Sequence, residues 1–511
     1  MDKSLKLIFK SVLTLTTPLL IGSGKEENSD IDILKTKDEI PFIPATSIVG
    51  ILRLSVQKYK GTISEDIFDE FWGAARDSGN EKQSSIIVSD SYLLNNNVQK
   101  ENSIIRDGIR INPGFGTAED GAKFDYEIID KGSSFSFEYE VTIPTDKSTY
   151  YYQMIKTIES CLNDKISIGA NTNNGFGRFE LSKSRYYFYN LSSTNDIWKW
   201  LEKSYLNESE GIEKLEEIKV LNNINPFRIN QSNFTITFTA NIDNSLIIGS
   251  TDPKVESDKI HLKSNGEAVL SGSSLKGAVR ARAEKILNTI SINQDEMHKL
   301  KELLFGYIQH EFIIEKDNNG NEIVKPDKIN GSIYKETKIK SLKGKLQVSE
   351  NTFKEKTYTE ELQHRIKIDR FTGGTIDGAL FDSMPLFNTA KEESSITFDM
   401  NIDWSDRKYE LKDENGKSTG EFIGWSNYKN AAAGLLLLVL KDLWTGDLPI
   451  GGEKNVGRGR LRGVSATITW DDKKVVLKSK DNIDYSPDVV EGSWEELEGF
   501  VIALNDLVGK S

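Results

Sequence analysis

Four groups of residues in this 511-residue chain carry side chains and spacings suited to chemistry. The first is SGSSLKGAVRARAEKI, residues 271–286, where small residues precede a helical pattern bearing Lys276, Arg280 and Arg282. Unpaired N–H groups at a helix start favour an anion such as a phosphate. Lys276 and Arg280 are four residues apart and share a helix face. With Ser274 they form an anion-binding candidate. An earlier segment, ATSIVGILR, residues 45–53, repeats the pattern with Ser47 and Arg53 but without the lysine. No G-x-x-x-x-G-K-[ST] run is present, so neither segment is a Walker loop.

The second group is a pair of glycine-rich turns, GANTNNGFGR at 169–178 and GGEKNVGRGR at 451–460. Gly175, Gly177, Gly457 and Gly459 permit positive φ and a close approach of backbone to a phosphate chain. Arg178, Lys454, Arg458 and Arg460 would pair with the phosphates. One such turn alone reads as a plain hairpin; two at matching places, each ending in arginine, favour anion binding. The third group is HRIKIDRFTGGTIDGALFD, residues 364–382, with His364, Arg365, Lys367 and Arg370 beside Phe371. Alternating cations on a strand can follow an RNA backbone while an aromatic ring stacks on a base. Its relative GIRINPGFGTAEDGAKFD, residues 108–125, carries Arg110. Taken without the repeat described next, these cations read equally as a solvated face.

The fourth group is acidic. One loop holds Asp30, Asp32 and Asp38, and another of equal length holds Asp252, Glu256 and Asp258. A carboxylate beside a phosphodiester can hold Mg²⁺, orient an attacking group or move a proton. Spacing alone also fits a loop that is acidic only for solubility.

These groups recur in order. Ile21-Gly22-Ser23 returns as Ile248-Gly249-Ser250, and Ser47 with Arg53 as Ser274 with Arg280, both at an offset of 227. Phe71-Trp72-Gly73 resembles Leu304-Phe305-Gly306 at 233, Asp120-Gly121-Ala122 matches Asp377-Gly378-Ala379 at 257, and the glycine-rich turns match at 282. The growing offset predicts insertions in the second copy, in stretches 312–345 and 402–424. The expected organisation is a first domain at 1–190, a helical linker at 191–227, a second domain at 228–475 and an acidic helical tail at 476–511. Each copy opens with strand-like alternation, LKLIFKSVLTLT or NFTITFTANI, followed by a helix and later strands. That order predicts an α+β fold with ferredoxin-like sheets and helices on one face.

Composition narrows the function. Sixty-five Lys and Arg against 78 Asp and Glu leave a net charge of −13, unlike a non-specific nucleic-acid coat. Yet residues 335–370 and 452–463 are net basic, so local tracks for RNA exist. One cysteine, Cys161, excludes an internal disulfide, and four histidines with it make no Cys/His zinc cluster. A histidine-based RNase would rest on His261 and His364, neither of which has a counterpart in the first copy. AAAGLLLLVL, residues 431–440, is too short to span a membrane and reads as a buried helix. The chain is expected to be cytoplasmic, with no membrane partner.

Together, GSGKEENSDIDILKTKDEIPFIPATSIVGILR, IIGSTDPKVESDKIHLKSNGEAVLSGSSLKGAVR, HRIKIDRFTGGTIDGALFD and the two glycine-rich turns resemble the RAMP superfamily. They resemble in particular a fusion of two backbone subunits of type III CRISPR effector complexes, as in subtype III-D. The resemblance implies two RNA-recognition-type (RRM-like) domains with thumb-like hairpins. It implies guide RNA, complementary target RNA and other effector subunits as partners. It also implies target cleavage by loop aspartates with Mg²⁺ or another divalent metal. The matching aspartates are Asp32, with Asp30 as its rival, and Asp258. A non-catalytic guide-binding scaffold is the alternative.

Overall fold

A computed structural model describes residues 4–24, 29–57, 64–74, 81–94, 103–112, 116–163, 166–203, 206, 215–227, 233–251, 255, 257–308, 313–316, 322–325, 341–354, 357–389, 395–405, 408–412, 418–480 and 486–509. Asp252, Glu256 and most of stretch 312–345 lie outside these residues. The chain is a mixed α/β protein and divides into two compact units. One comprises residues 1–110, 118–172 and 176–230; the other takes 231–511 with the short pieces 111–117 and 173–175.

In the first unit, β1 (Ser4–Leu15) is followed by α1 (Ala45–Gln57), α2 (Glu65–Trp72) and β2 (Ile86–Val88). A long hairpin, β3 (Ser103–Ile111) and β4 (Ala118–Ile129), interrupts the sheet before β5 (Ser134–Pro144), α3 (Ser148–Asn163) and β6 (Phe179–Asn190). The sheet order is β2-β5-β1-β6, with every pair antiparallel. β1 is central because it is buried along much of its length, and its alternation sends Leu7, Phe9, Leu13 and Leu15 into the core. Those side chains meet Tyr151, Ile155 and Ile158 of α3 and Leu52 and Val56 of α1 in the same core. Helices α4 (Thr194–Leu201) and α5 (Leu215–Asn222) follow.

The second unit repeats this order. β7 (Asn233–Ile242) leads through β8 (Gly249–Ser250) and β9 (Lys259–His261) to α6 (Gly272–Ile290) and α7 (Gln294–Phe305). β10 (Leu346–Val348) precedes a second hairpin, β11 (Gln363–Ile368) and β12 (Thr375–Met384). Then come β13 (Ser395–Asp403), α8 (Lys429–Trp444) and β14 (Leu461–Trp470). Its sheet runs β10-β13-β7-β14, the same order as the first, and continues through β15 (Lys473–Ser479) and β16 (Pro487–Glu491).

The acidic C-terminal segment thus begins as sheet and ends as α9 (Trp494–Val508), whose N-terminus is closed by a Ser493/Glu496 capping box. Leu497, Phe500, Leu504 and Val508 of α9 join the core of this unit, as do Ala431–Ala433, Leu435 and Leu436 of α8. No helix among the described residues is long and apolar enough to cross a membrane.

Helices α8 and α9 approach closely at Gly434. A β-carbon there would lie 2.1 Å from the Phe500 carbonyl oxygen, whereas one at Gly499 would meet nothing within 4 Å. Gly434→Ala is therefore expected to destabilise the second unit by about 1–3 kcal/mol through overpacking. Gly499→Ala, a gain in helix propensity, should be neutral or stabilising by up to about 1 kcal/mol. Thermal unfolding of both variants, followed by tryptophan fluorescence, checks this contrast.

Candidate functional site

Each acidic loop is held against the base of its hairpin. In the first unit, Asp30 and Asp125 of β4 bond reciprocally: each main-chain N–H donates to the other's carboxylate at 2.9 Å. Ile31 forms a parallel bridge to Tyr126, and Ile33 an antiparallel bridge to Gly22. In the second unit, the Asp382 N–H on β12 donates to Asp258 Oδ2 at 2.9 Å. Lys259 pairs in parallel with Ser383, and His261 antiparallel with Gly249. The pairs Asp30/Asp258, Ile31/Lys259, Asp125/Asp382 and Tyr126/Ser383 therefore occupy equivalent positions.

In this register Asp30, the rival, is the equivalent of Asp258, and Asp32 corresponds to Ile260. Asp32 is only 6% exposed. Its Oδ1 accepts the Ser29 N–H at 2.9 Å and the Ser29 hydroxyl at 2.8 Å. Asp30, by contrast, is exposed. Behind the first loop, Glu127 accepts from the Ile33 N–H at 3.2 Å and pairs with Lys35 at 2.8 Å. Burial raises its carboxyl, but Lys35 and neighbouring donors outweigh that and hold it below the usual range. Asp38 stands on the exposed turn beyond. Among the described residues, no three His, Cys, Asp or Glu side chains gather as a metal site.

The hairpins match in detail. At the first tip, Asn112 N–H donates to the Thr117 carbonyl and Gly116 N–H to the Asn112 carbonyl. At the second, Asp369 and Gly373 do the same with Gly374 and Asp369. Gly116 and Gly373 adopt φ of +69° and +70°, which a side chain would strain. The Asp369 carboxylate also accepts from the amides of Thr372 and Phe371, which lower its pKa. Phe371 is fully exposed at this tip. Ile366, Ile368, Leu380 and Phe381 are exposed on the same hairpin, and Ile105, Ile109, Ile111 and Phe124 on the other. Apolar side chains in this number, exposed along the hairpins, indicate a contact surface. Lys367 and Arg370 are exposed nearby, and Arg110 pairs with Glu119 at 3.1 Å.

The glycine-rich turns place their residues differently from expectation. Gly177 and Gly459 face their own chain: a β-carbon would fall 1.8 Å from the Ile168 carbonyl oxygen and 1.9 Å from that of Ile450. These glycines are required by packing. Within the second unit, Gly175 makes room for the Ser349–Glu350 peptide, while Gly457 has open space around it. Arg458 is 4% exposed, and its guanidinium pairs with Glu453 at 2.8 Å and with Ser245 and Gln363. Glu453 also receives Arg365 from β11 at 2.5 Å. Arg458 and Arg365 thus tie the turn to the hairpin base instead of lying open to phosphate. Arg460 and Lys454 are exposed and Arg178 is half-buried.

At the start of α6, the Ser271 side chain caps the helix by accepting from the Ser274 N–H, with the Ser274 hydroxyl at 2.9 Å. Lys276 is half-buried one turn on. Desolvation, with Arg280 and Lys343 adding repulsion, pushes its ammonium down to about 8. Arg280 is exposed 3.8 Å from Glu284, whereas Arg282 is committed to Asp442 at 2.6 Å. The first copy is unlike this. Asp90 accepts the Ala45 N–H at 2.7 Å, so a carboxylate already occupies the α1 terminus. Ser47 and Arg53 are partly buried, and Arg53 lies over the Phe68 ring.

Sequence reasoning singled out neither Asp125 and Asp382 nor Glu453 and Asp90. The repeated Phe-Asp at 124–125 and 381–382 was the available signal for the first pair. Of the two histidines weighed, His261 is fully enclosed. One ring nitrogen accepts from Ile248 N–H and the other meets the Val269 carbonyl. Burial moves its pKa down to about 4, so it is a neutral structural side chain.

With this geometry in place, the chain can be related to known proteins. The family model of the RAMP superfamily matches residues 12–180 and 239–462, one segment for each unit. The chain belongs to the RAMP superfamily. Membership points to an RNA-binding, CRISPR-associated function. A comparison with curated proteins gives no match.

If RNA phosphate meets α6, it will favour the charged form of Lys276. RNA affinity should then weaken by up to about tenfold per pH unit above about 8, because the unbound lysine must first take up a proton. Lys276→Arg, whose charge is constant, should flatten this dependence. Filter binding of RNA between pH 7 and 9.5 tests it, and an unaltered profile in Lys276→Arg would place the RNA elsewhere.

Proposed function

We propose that the chain is a guide-RNA-binding backbone subunit of a type III CRISPR ribonucleoprotein, acting in the cytoplasm with other effector subunits. In this reading it cuts complementary target RNA at two sites. The observation that carries it is the duplicated loop-on-hairpin arrangement, with Asp30 beside Asp125 and Asp258 beside Asp382. The β-α-β-β-α-β order and shared strand order of the two sheets support reading each unit as a ferredoxin-like module. The exposed apolar hairpins support reading them as thumbs that wedge a guide–target duplex. Sequence selection would come from base pairing, with the protein contacting backbone and shape.

The chemistry is transesterification. The 2′-hydroxyl of the target attacks the adjacent phosphorus, and a distorted duplex brings these atoms into line. Orientation of this kind can lower a barrier by about 7–11 kcal/mol at most. The exposed carboxylates of Asp30 and Asp258 are suited to orient that hydroxyl and accept its proton. Buried Asp32, bonded to Ser29, is suited to shape its loop. A divalent cation would supply charge neutralisation at the phosphate. Asp30 or Asp258 would offer it one carboxylate, with RNA oxygens and water completing its shell.

The test uses the assembled complex with bound guide and a labelled complementary RNA in Mg²⁺. Asp30→Ala and Asp258→Ala should each abolish one cut and spare the other, with guide retained. Asp32→Ala should slow the first cut less than Asp30→Ala and lower thermal stability. Unchanged cutting in both Asp30→Ala and Asp258→Ala would leave the scaffold reading.

A further inference from the structure

At one position the two loop-on-hairpin sites differ in chemistry. His364 lies on β11, and its Nδ1 is 2.7 Å from Asp382 Oδ1. The same Asp382 gives its main-chain N–H to Asp258. The hairpin tips and their glycines match at an offset of 257, which puts Asp107 at the equivalent place in the first unit. Asp107 is 3.4 Å from Lys123 and offers no imidazole. The His364 side chain is 63% exposed. Its hydrogen bond to Asp382 occupies Nδ1 only and leaves Nε2 for solvent or a ligand. A carboxylate accepting from Nδ1–H fixes the tautomer and supports a charged ring, the role of the acid in a histidine-based catalytic set.

We propose that His364 is the general acid of the Asp258 site, with Asp382 as its positioning residue. The assignment rests on the cleavage reading above. The 2′-oxygen bonds to phosphorus as Asp258 takes its proton. The bond from phosphorus to the 5′-oxygen breaks, its electron pair stays on that oxygen, and the oxygen receives the proton from His364 Nε2. The products are a 2′,3′-cyclic phosphate and a 5′-hydroxyl. Solvent then removes the proton from Asp258 and returns one to His364. The first site has no such donor, so the two cuts differ in how the leaving oxygen gains its proton. Asp382 lies across the hairpin from His364, and its N–H is bonded to Asp258. Arg365 is already turned to Glu453.

The experiment compares two target RNAs in the assembled complex: a natural one, and one with sulfur replacing the 5′-oxygen at the Asp258-dependent cut. A thiolate departs without needing a proton. His364→Ala and His364→Gln should each slow that cut by about 10²–10⁴-fold on natural RNA. They should leave the Asp30-dependent cut unchanged. Sulfur should restore the slowed cut to within about tenfold of the unsubstituted complex in both variants. Normal cutting by His364→Ala, recovery in His364→Gln on natural RNA, equal slowing of both cuts, or no rescue by sulfur would each overturn the assignment. If the unsubstituted complex binds guide yet makes no cut at that position, the cleavage reading itself fails and the assignment falls with it.

Discussion

A short parallel pairing fixes the acidic loop in each unit. Ile31 meets Tyr126 and Lys259 meets Ser383, so the loop runs beside the outgoing strand of its hairpin. Parallel neighbours require a long crossover, and here the crossover is most of the domain. The loop comes early in each repeat and the hairpin late, with two helices between them. The acid is therefore positioned only when helices, sheet and hairpin have folded together. An aspartate N–H to carboxylate bond completes the arrangement in each copy, with a reciprocal second bond in the first. Its net worth is modest, but it selects which carboxylate stands at the hairpin base.

The same hairpin is tied at its base by ions in the second unit. Glu453 draws in Arg365 from the hairpin and Arg458 from the glycine-rich turn. Two arginines on one largely buried carboxylate need further acceptors, and Gln363 and Ser245 provide them for Arg458. Cations that look in sequence like phosphate ligands serve here as fasteners. The ribbon's outer part is left with exposed isoleucines, leucine and phenylalanines, which have no core to enter. The apolar side chains at this glycine-turned tip are open to solvent.

The two copies have kept the scaffold and diverged in chemistry. The helix-ending glycines Gly73 and Gly306 and the turn glycines Gly177 and Gly459 retain positive φ because backbone geometry demands it. Around them, the α1 terminus takes the Asp90 carboxylate, whereas the first turns of α6 carry Lys276 and Arg280. Asp107 and His364 differ likewise. A fold can duplicate its geometry while each site acquires its own electrostatics.

The sequence by itself determined the strands, helices and their duplication. Alternation in LKLIFKSVLTLT and NFTITFTANI specifies β1 and β7, the two central strands, because period-two burial needs no long-range information. The apolar run at 431–440 specifies a buried helix for the same reason. Five recurring landmarks identified two related halves, and the family match covers both. Tertiary structure decided which residues of each motif face outward. Asp30 and Asp32 are two residues apart in sequence and equally acidic. Only the bridge to the hairpin, and a one-residue difference in loop length between the copies, separates the exposed carboxylate from the buried one. Arg458 reads like Arg460 until Glu453, fixed by a turn with positive φ, draws it inward. His364 acquires a partner only because Asp382 lies opposite it across the hairpin. Spacing along the chain sets local conformation, but contacts between distant segments set burial, and burial decides which polar groups remain available for chemistry.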